Sequence, residues 1–149
     1  MKESSLSIDR ISFYLGMINC FVEMVACGVK TLALSPPLTP HDYAQIAPFS
    51  QKIVEEFHID SYLEKSLLIT DLQPEEFTRG KWVILYYEGD VLKKYLSLKE
   101  TAAKLRSTGQ YTGAPREALA RALGRLLSYP DEKISRKIAG LDSPFMLVE

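Results

Sequence analysis

Hydrophobic and polar positions change their spacing along the chain, and each spacing predicts a different element. Residues 8–31 are almost solidly apolar except for one narrow stripe of polar or small residues at helical steps of three or four. The stripe contains Asp9, Ser12, Gly16, Asn19, Glu23, Cys27 and Lys30, with Cys20 alongside. We expect a long first helix, capped by Ser5 or Ser7 and stopped near Thr31 by SPPLTP, with protein around most of its circumference.

The middle of the chain predicts a second helix followed by a small antiparallel sheet. Thr39 precedes Pro40 at a helix start, and the helix should cover residues 40–58 with a kink or a split at Pro48. SYLEKSLLITDL and KWVILYYE are typical of strands and are joined by the polar QPEEFTRG. KTLALS is a candidate third strand, and the sheet should lie against the first helix, because two strands alone are marginally stable.

In the last third of the chain the apolar spacing is helical again. One helix extends to about Arg106, and STGQYTGAP then predicts a loop. Two further helices are expected, one from Pro115 to about Ser128 and one capped by Asp131 that extends to about Ala139. The pattern therefore predicts α+β architecture, with a long apolar central helix packed on a small antiparallel sheet and additional helices.

Composition places limits on the class of protein. Of the 149 residues, 46% are hydrophobic and 25% are charged, which is typical of a soluble globular chain rather than a disordered or fibrous one. We expect a single globular domain over residues 1–149. The N-terminus shows no secretory signal, and Asn19 and Glu23 interrupt the apolar segment too strongly for a membrane span, so we expect a cytoplasmic protein without a membrane partner.

Cys20 and Cys27 lie seven residues apart on the first predicted helix. A rise of about 1.5 Å per residue separates them by roughly 10 Å, which is beyond the approximately 7 Å limit for a disulfide. We therefore expect two reduced thiols that are mostly buried as small core residues. Neither cysteine has the helix N-terminus or basic neighbour that activates a catalytic thiol.

The polar stripe of the first helix is the first candidate site. Its glycine and cysteines are small enough to leave a groove into which Asn19 and Glu23 project. If the strands roof that groove, Glu23 is a partly enclosed carboxylate suited to general acid or base catalysis, with Asn19 and Asp71 orienting a substrate. The alternative is that the stripe forms the solvent-facing edge of the helix, and its charged ends favour this interpretation.

The junction between loop and helix in YTGAPREALARALGR is the second candidate site. Gly113 lies in the predicted loop and Arg116 follows Pro115, where free backbone N–H groups attract a phosphate or carboxylate. Arg121 and Arg125 stand one turn apart on the same helix. The residues predict a site for a small anionic ligand, although an ordinary helix start explains them too. Their spacing matches neither the P-loop nor the dinucleotide fingerprint.

Charge is distributed unevenly along the chain. The net charge of −1 combines −6 over residues 1–92, +7 over residues 93–137 and −2 over residues 138–149. Acidic and basic ends favour self-association, so we expect a homodimer. The basic C-terminal third is also a candidate surface for another protein or a nucleic acid, although Glu117, Asp131 and Glu132 dilute it and argue against nucleic acid.

LGRLLSYP, near the C-terminus, is similar to the G-x-L-L-G-Y-P-x-C-C ending of an uncharacterised, largely archaeal protein family. The matching residues are Gly124, Leu126, Leu127, Tyr129 and Pro130. Ser128 replaces the second glycine, and Glu132 and Lys133 stand where that family has two cysteines. The resemblance covers about a dozen residues and implies no activity, and the missing cysteines remove any thiol or metal chemistry that the motif supports.

The sequence leaves three classes of function open. The leading hypothesis is a small-molecule-binding or regulatory module without catalysis, with a pocket between the first helix and the strands. The second is an enzyme that uses Glu23 as a general acid or base. The third is an interaction module that uses the basic C-terminal third. No cofactor or metal is expected, because His41 and His58 lack a second ligand at the spacing of a metal site.

Overall fold

The computed structural model describes residues 7–142. Within that range the chain forms five α-helices and three strands. In order they are α1 (Arg10–Ala26), β1 (Leu32–Leu34), α2 (Pro40–Phe57), β2 (Asp60–Glu64), β3 (Val83–Tyr87), α3 (Val91–Ser107), α4 (Gly113–Leu126) and α5 (Asp131–Ile138). A short 3-10 turn, Glu75–Phe77, lies between β2 and β3. The predicted α+β class is confirmed.

The three strands form one antiparallel sheet in the order β1-β3-β2. Leu34 pairs with Leu85 on one side of β3, and Tyr62 pairs with the same residue on the other side. All five residues of β3 are buried. A strand covered on both faces needs no polar alternation, which is why this segment has the continuous apolar sequence VILYY.

Helices cover both faces of the sheet. Ile84 and Tyr86 of β3 pack with α1 and α2, whereas Val83, Leu85 and Tyr87 pack with α3, α4 and α5. This division follows from the two-residue period of a strand, which points successive side chains to opposite faces. The central position predicted for the first helix therefore belongs to β3, and α1 lies in one outer layer.

The predicted bounds of the first two helices need correction. Asp9 caps α1 by accepting the Ser12 N–H at 3.0 Å, and the predicted Ser5 cap lies outside the described residues. The helix ends at Ala26 instead of near Thr31, because Gly28 adopts φ +76° and the following residues pair with β3. In α2 the Thr39 cap is confirmed, but the helix continues through Pro48 without splitting.

Three later elements also differ from the prediction. β2 ends at Glu64, so most of the predicted strand SYLEKSLLITDL is irregular. We call residues 66–73 the strap. α4 begins at Gly113, two residues before Pro115, and the N-cap of α5 is Pro130 rather than Asp131.

The helices that come first in the chain cover one face of the sheet, and the later helices cover the other face. The uneven distribution of charge along the sequence therefore becomes a difference in charge between the two faces. The helices α1 and α2 belong to the acidic part of the sequence, and α4 and α5 belong to the basic part on the other side of the sheet. None of the helices within residues 7–142 is long and apolar enough to cross a membrane.

Candidate functional site

The polar stripe of α1 faces solvent. Asn19 and Glu23 are exposed, because the opposite face of the helix packs on the sheet and on α2 through its buried apolar residues. The strands therefore do not roof these two side chains, and the stripe is a solvent edge. Cys20 and Cys27 are exposed free thiols, so the prediction that they are mostly buried is wrong.

Asp71, the third catalytic candidate, lies in the other layer of the molecule. It belongs to the strap, where it accepts two hydrogen bonds from Arg116, through Nε and Nη2, at 2.7 Å each. These hydrogen bonds hold the pKa of the Asp71 carboxyl below its usual value. The sheet separates Asp71 from Asn19 and Glu23, so the three candidates do not share one site, and a catalytic role for them stays a prediction.

The predicted anion site on α4 has its positive charges paired. Arg116 pairs with Asp71, Arg121 with Glu117 at 2.9 Å, and Arg125 with Asp131 at 3.3 Å. Gly113 is exposed at the first position of the helix with φ +60°. A guanidinium that already binds a carboxylate attracts an incoming anion less strongly. The geometry at this junction therefore fits an ordinary helix start.

The two histidines lie apart from any cluster of metal ligands within the part of the chain that the structure describes. His41 is exposed and contacts Gln45 of its own helix, and His58 forms the left-handed C-cap of α2. Among residues 7–142 no group of three or more His, Cys, Asp or Glu side chains is arranged to hold a metal ion.

An enclosed pocket lies between the strap, β1 and the helices α3 to α5. Six leucines line it: Leu34, Leu67, Leu68, Leu72, Leu123 and Leu127. The polar side chains in its wall are Thr70, Gln73, Tyr95, Tyr129 and Lys137. We call this the leucine pocket, and its cavity volume is about 40 Å³. A second cleft of about 90 Å³, lined by Phe21 and Lys30, shares Leu34, Leu127 and Tyr129 with it.

Two lysines converge on the Tyr129 ring, which lies between the leucine pocket and the second cleft. Lys30 Nζ lies 5.3 Å and Lys137 Nζ lies 5.0 Å from the ring centroid, within the range of a cation–π contact. Lys30 also donates a hydrogen bond to the Leu127 carbonyl at 3.0 Å, at the C-terminal end of α4. Burial lowers the pKa of the Lys30 ammonium and raises the pKa of the Tyr129 hydroxyl.

These two lysines differ from the arginines of α4, because neither has an anionic partner among residues 7–142. Within residues 7–142 neither lysine lies within 4.0 Å of a carboxylate oxygen. Partly desolvated positive charge without a counter-charge is unfavourable, and a bound anion relieves it. The arrangement combines a cationic rim with an apolar interior, which is the chemistry of a site for an amphiphilic anion.

A buried network holds the wall of the leucine pocket in place. Glu64, which is 4% exposed, accepts hydrogen bonds from Tyr95 Oη at 2.8 Å and from Lys99 Nζ at 2.9 Å. The Tyr95 hydroxyl in turn accepts the Leu68 N–H at 2.9 Å, and Glu64 Oε1 accepts the Ser66 N–H at 3.0 Å. The network thus attaches the first part of the strap to α3 and to the end of β2.

Residues of the segment LGRLLSYP have structural roles in the corner between α4 and α5. Gly124 permits close contact with α5, and Ser128 adopts the left-handed φ of +66° at the end of α4. Glu132 and Lys133 are exposed on α5. The whole chain matches no family model, no curated protein and no solved structure.

In the sequence, the residues around Tyr129 belong only to larger patterns. Lys30 appeared as the end of the α1 stripe, whereas Lys137 and Tyr129 belonged to the basic C-terminal third. Lys30 and Lys137 are far apart in the chain, and only the fold brings them to one ring. A lysine with a carboxylate partner and one without look identical in sequence, so no sequence signal distinguishes this pair.

Proposed function

We propose that the protein is a small-molecule-binding module whose ligand is an anion with an apolar body. The ligand occupies the leucine pocket, with its charged group beside Tyr129. One observation carries the proposal: Lys30 and Lys137 converge on a single ring at the edge of an apolar cavity, without a carboxylate partner in residues 7–142.

Two physical arguments support the choice of ligand. A carboxylate, sulfonate or phosphate at Tyr129 supplies a counter-charge that neither ammonium group finds among residues 7–142. The leucines behind it favour hydrocarbon over polar groups, because each buried methylene contributes about 0.8 kcal/mol. Neither feature alone is selective, but together they discriminate against cations and against small hydrophilic anions.

The two alternative functions have weaker support. An enzyme needs polar groups that converge on a substrate, and Glu23 stands on an exposed helix edge away from Asp71. An interaction module that binds through the basic third needs unpaired positive charge, and Arg116, Arg121 and Arg125 each bind a carboxylate.

Calorimetric titration with hexanoate and hexylamine tests the proposal, because the two probes have equal chain length and opposite charge. At about 0.5 kcal/mol per non-hydrogen atom, an eight-atom ligand has a Kd on the order of 1 mM. We expect hexanoate to bind in this range, acetate to bind much more weakly and hexylamine not to bind. Equal binding of hexanoate and hexylamine, or no binding of hexanoate, would overturn the proposal.

A matched pair of lysine variants on α5 locates the site. We expect Lys137→Gln to weaken hexanoate binding about tenfold, because it removes a charge-assisted contact. Lys133→Gln makes the same charge change at an exposed position of the same helix and should leave the affinity unchanged. Equal weakening in both variants would show that the effect comes from net charge and not from the site.

A further inference from the structure

Access to the leucine pocket requires part of its wall to move. This inference rests on the proposed function. A cavity of about 40 Å³ has room for about three water molecules, which is too little for a six-carbon chain. The strap contributes five of the lining side chains: Leu67, Leu68, Thr70, Leu72 and Gln73. The rest of the wall comes from β1, three helices and the corner between α4 and α5, which are held by regular backbone hydrogen bonds or by packing between elements.

The strap is attached differently from those elements. It contains no helix or strand, and within residues 7–142 the polar contacts that tie it to the rest of the chain all involve a side chain. Its first part is held by the buried network, where Glu64 accepts the Ser66 N–H and Tyr95 accepts the Leu68 N–H. The Tyr95–Leu68 contact is buried and the Glu64–Ser66 contact is partly buried, so this end of the strap is the firmer one.

The second part of the strap is held at the surface. Asp71 binds the Arg116 guanidinium through two hydrogen bonds of 2.7 Å, and Arg106 donates to the Ile69 carbonyl at 3.2 Å. Both guanidinium groups also lie over the Tyr111 ring, at 4.7 Å for Arg106 and 5.1 Å for Arg116. Water competes directly for these exposed contacts, so they break at a lower free energy than the buried network does.

We propose that the strap is a lid over the leucine pocket, hinged at Ser66–Leu68 and latched by the Asp71–Arg116 pair. Opening exposes Leu72 and Thr70, and a bound ligand lets these side chains pack again around its apolar body. The latch is closed both in the free protein and in the complex. Its strength therefore sets the fraction of open molecules and the rates of association and dissociation, but not the affinity.

Hydrogen exchange on the ligand-free protein tests the lid. We expect Asp71→Asn and Arg116→Gln each to speed exchange of the amides of residues 69–73 by about two- to fivefold, since an exposed ion pair stabilises the closed state modestly. The amides of β3 should exchange as in the wild type. Glu117→Gln is the matched control, because it breaks the ion pair with Arg121 on the same helix, and strap exchange should not change.

Two results would contradict the proposal that the strap is a lid. One is strap exchange in Asp71→Asn and Arg116→Gln that equals that of the wild type. The other is acceleration by the same factor in the strap and in β3, because it indicates unfolding of the whole protein instead of local opening.

Line-shape analysis of an NMR titration with hexanoate tests whether opening of the lid controls ligand binding. In Asp71→Asn we expect the association and dissociation rates of hexanoate to rise by the same two- to fivefold factor, with the Kd of hexanoate unchanged. If hexanoate binds to the wild type and its association and dissociation rates are the same in Asp71→Asn, the lid proposal is wrong while the proposed binding function stands. If hexanoate does not bind to the wild type, the binding function fails irrespective of how the strap exchanges.

Discussion

Gly124 of α4 lies so close to Ile134 of α5 that a larger residue at position 124 would displace the Ile134 side chain. A Cβ atom at position 124 would lie 2.7 Å from Ile134 Cγ1 and 2.8 Å from Ile134 Cδ1. Ile134 is fully buried in a close-packed interior, so moving its side chain disturbs the residues around it. This contact fixes the corner that carries Tyr129 and sets the position of Lys137 beside the leucine pocket.

Gly124→Ala should destabilise the protein by about 1–3 kcal/mol, because the added methyl overpacks the contact between the helices. Gly16→Ala is the matched control. Nothing lies within 4 Å of a Cβ at this exposed position of α1, so alanine should stabilise the helix by up to about 1 kcal/mol. Urea unfolding measures both variants, and equal destabilisation by the two substitutions would contradict the packing argument.

Ser128 combines a strained backbone with a long-range hydrogen bond. It adopts φ +66°, and its Oγ accepts the Thr31 N–H at 2.9 Å. Ser128→Gly loses the acceptor but relieves the strain, whereas Ser128→Ala loses the acceptor and keeps the strain. We expect the alanine variant to be less stable than the glycine variant by about 1 kcal/mol in thermal unfolding. An alanine variant as stable as the glycine variant would show that the left-handed backbone carries no penalty here.

Tyr95→Phe should cost about 1–3 kcal/mol of stability. The substitution leaves the buried Leu68 N–H without an acceptor and removes one donor from Glu64. Tyr62→Phe makes the same chemical change at a partly exposed residue of β2 and should alter the free energy of unfolding by less than about 0.5 kcal/mol. Similar unfolding midpoints for the two variants in urea would remove the structural role assigned to the Tyr95 hydroxyl.

Alkaline pH should destabilise the protein through its buried tyrosines. Burial raises the pKa of Tyr86 far above its usual value of about 10, so its contribution is fully present below pH 10. Above that pH the unfolded state loses a proton that the folded state keeps, and stability falls by about 1.4 kcal/mol per pH unit for each such residue. Tyr86→Phe should therefore lose stability less steeply than the wild type between pH 10 and 11. Parallel decreases, measured by urea unfolding, would contradict this assignment.

Both thiols of α1 should react in the native protein. Cys20 and Cys27 are exposed, so a thiol reagent added without denaturant should label both residues about as fast as it labels a model thiol. Cys20→Ser and Cys27→Ser should each change the free energy of unfolding by less than about 0.5 kcal/mol, as expected of surface positions. Labelling that requires denaturant would mean that the helix edge is covered in solution, for instance by the predicted partner subunit.

Much of the secondary structure could be predicted because its signals are local. Thr39 and Pro40 mark a helix start through side-chain capping and a fixed φ angle, and both act within one turn of the chain. The end of β2 depends on contacts between distant residues. The apolar residues after Glu64 look like a continued strand, yet the chain leaves the sheet there because the side chains of Glu64 and Tyr95 bind its backbone N–H groups instead.

The sequence by itself determined the order and approximate positions of the helices and strands and the α+β class, because the hydrophobic period and the capping residues act over a few positions. Only the tertiary structure decided which charges are paired. Asp71 meets Arg116 across 45 residues, while Lys30 and Lys137 meet the same tyrosine ring without a carboxylate among residues 7–142. Electrostatic pairing depends on distances of a few ångströms between distant segments, and packing sets those distances only when the layers assemble on both faces of β3.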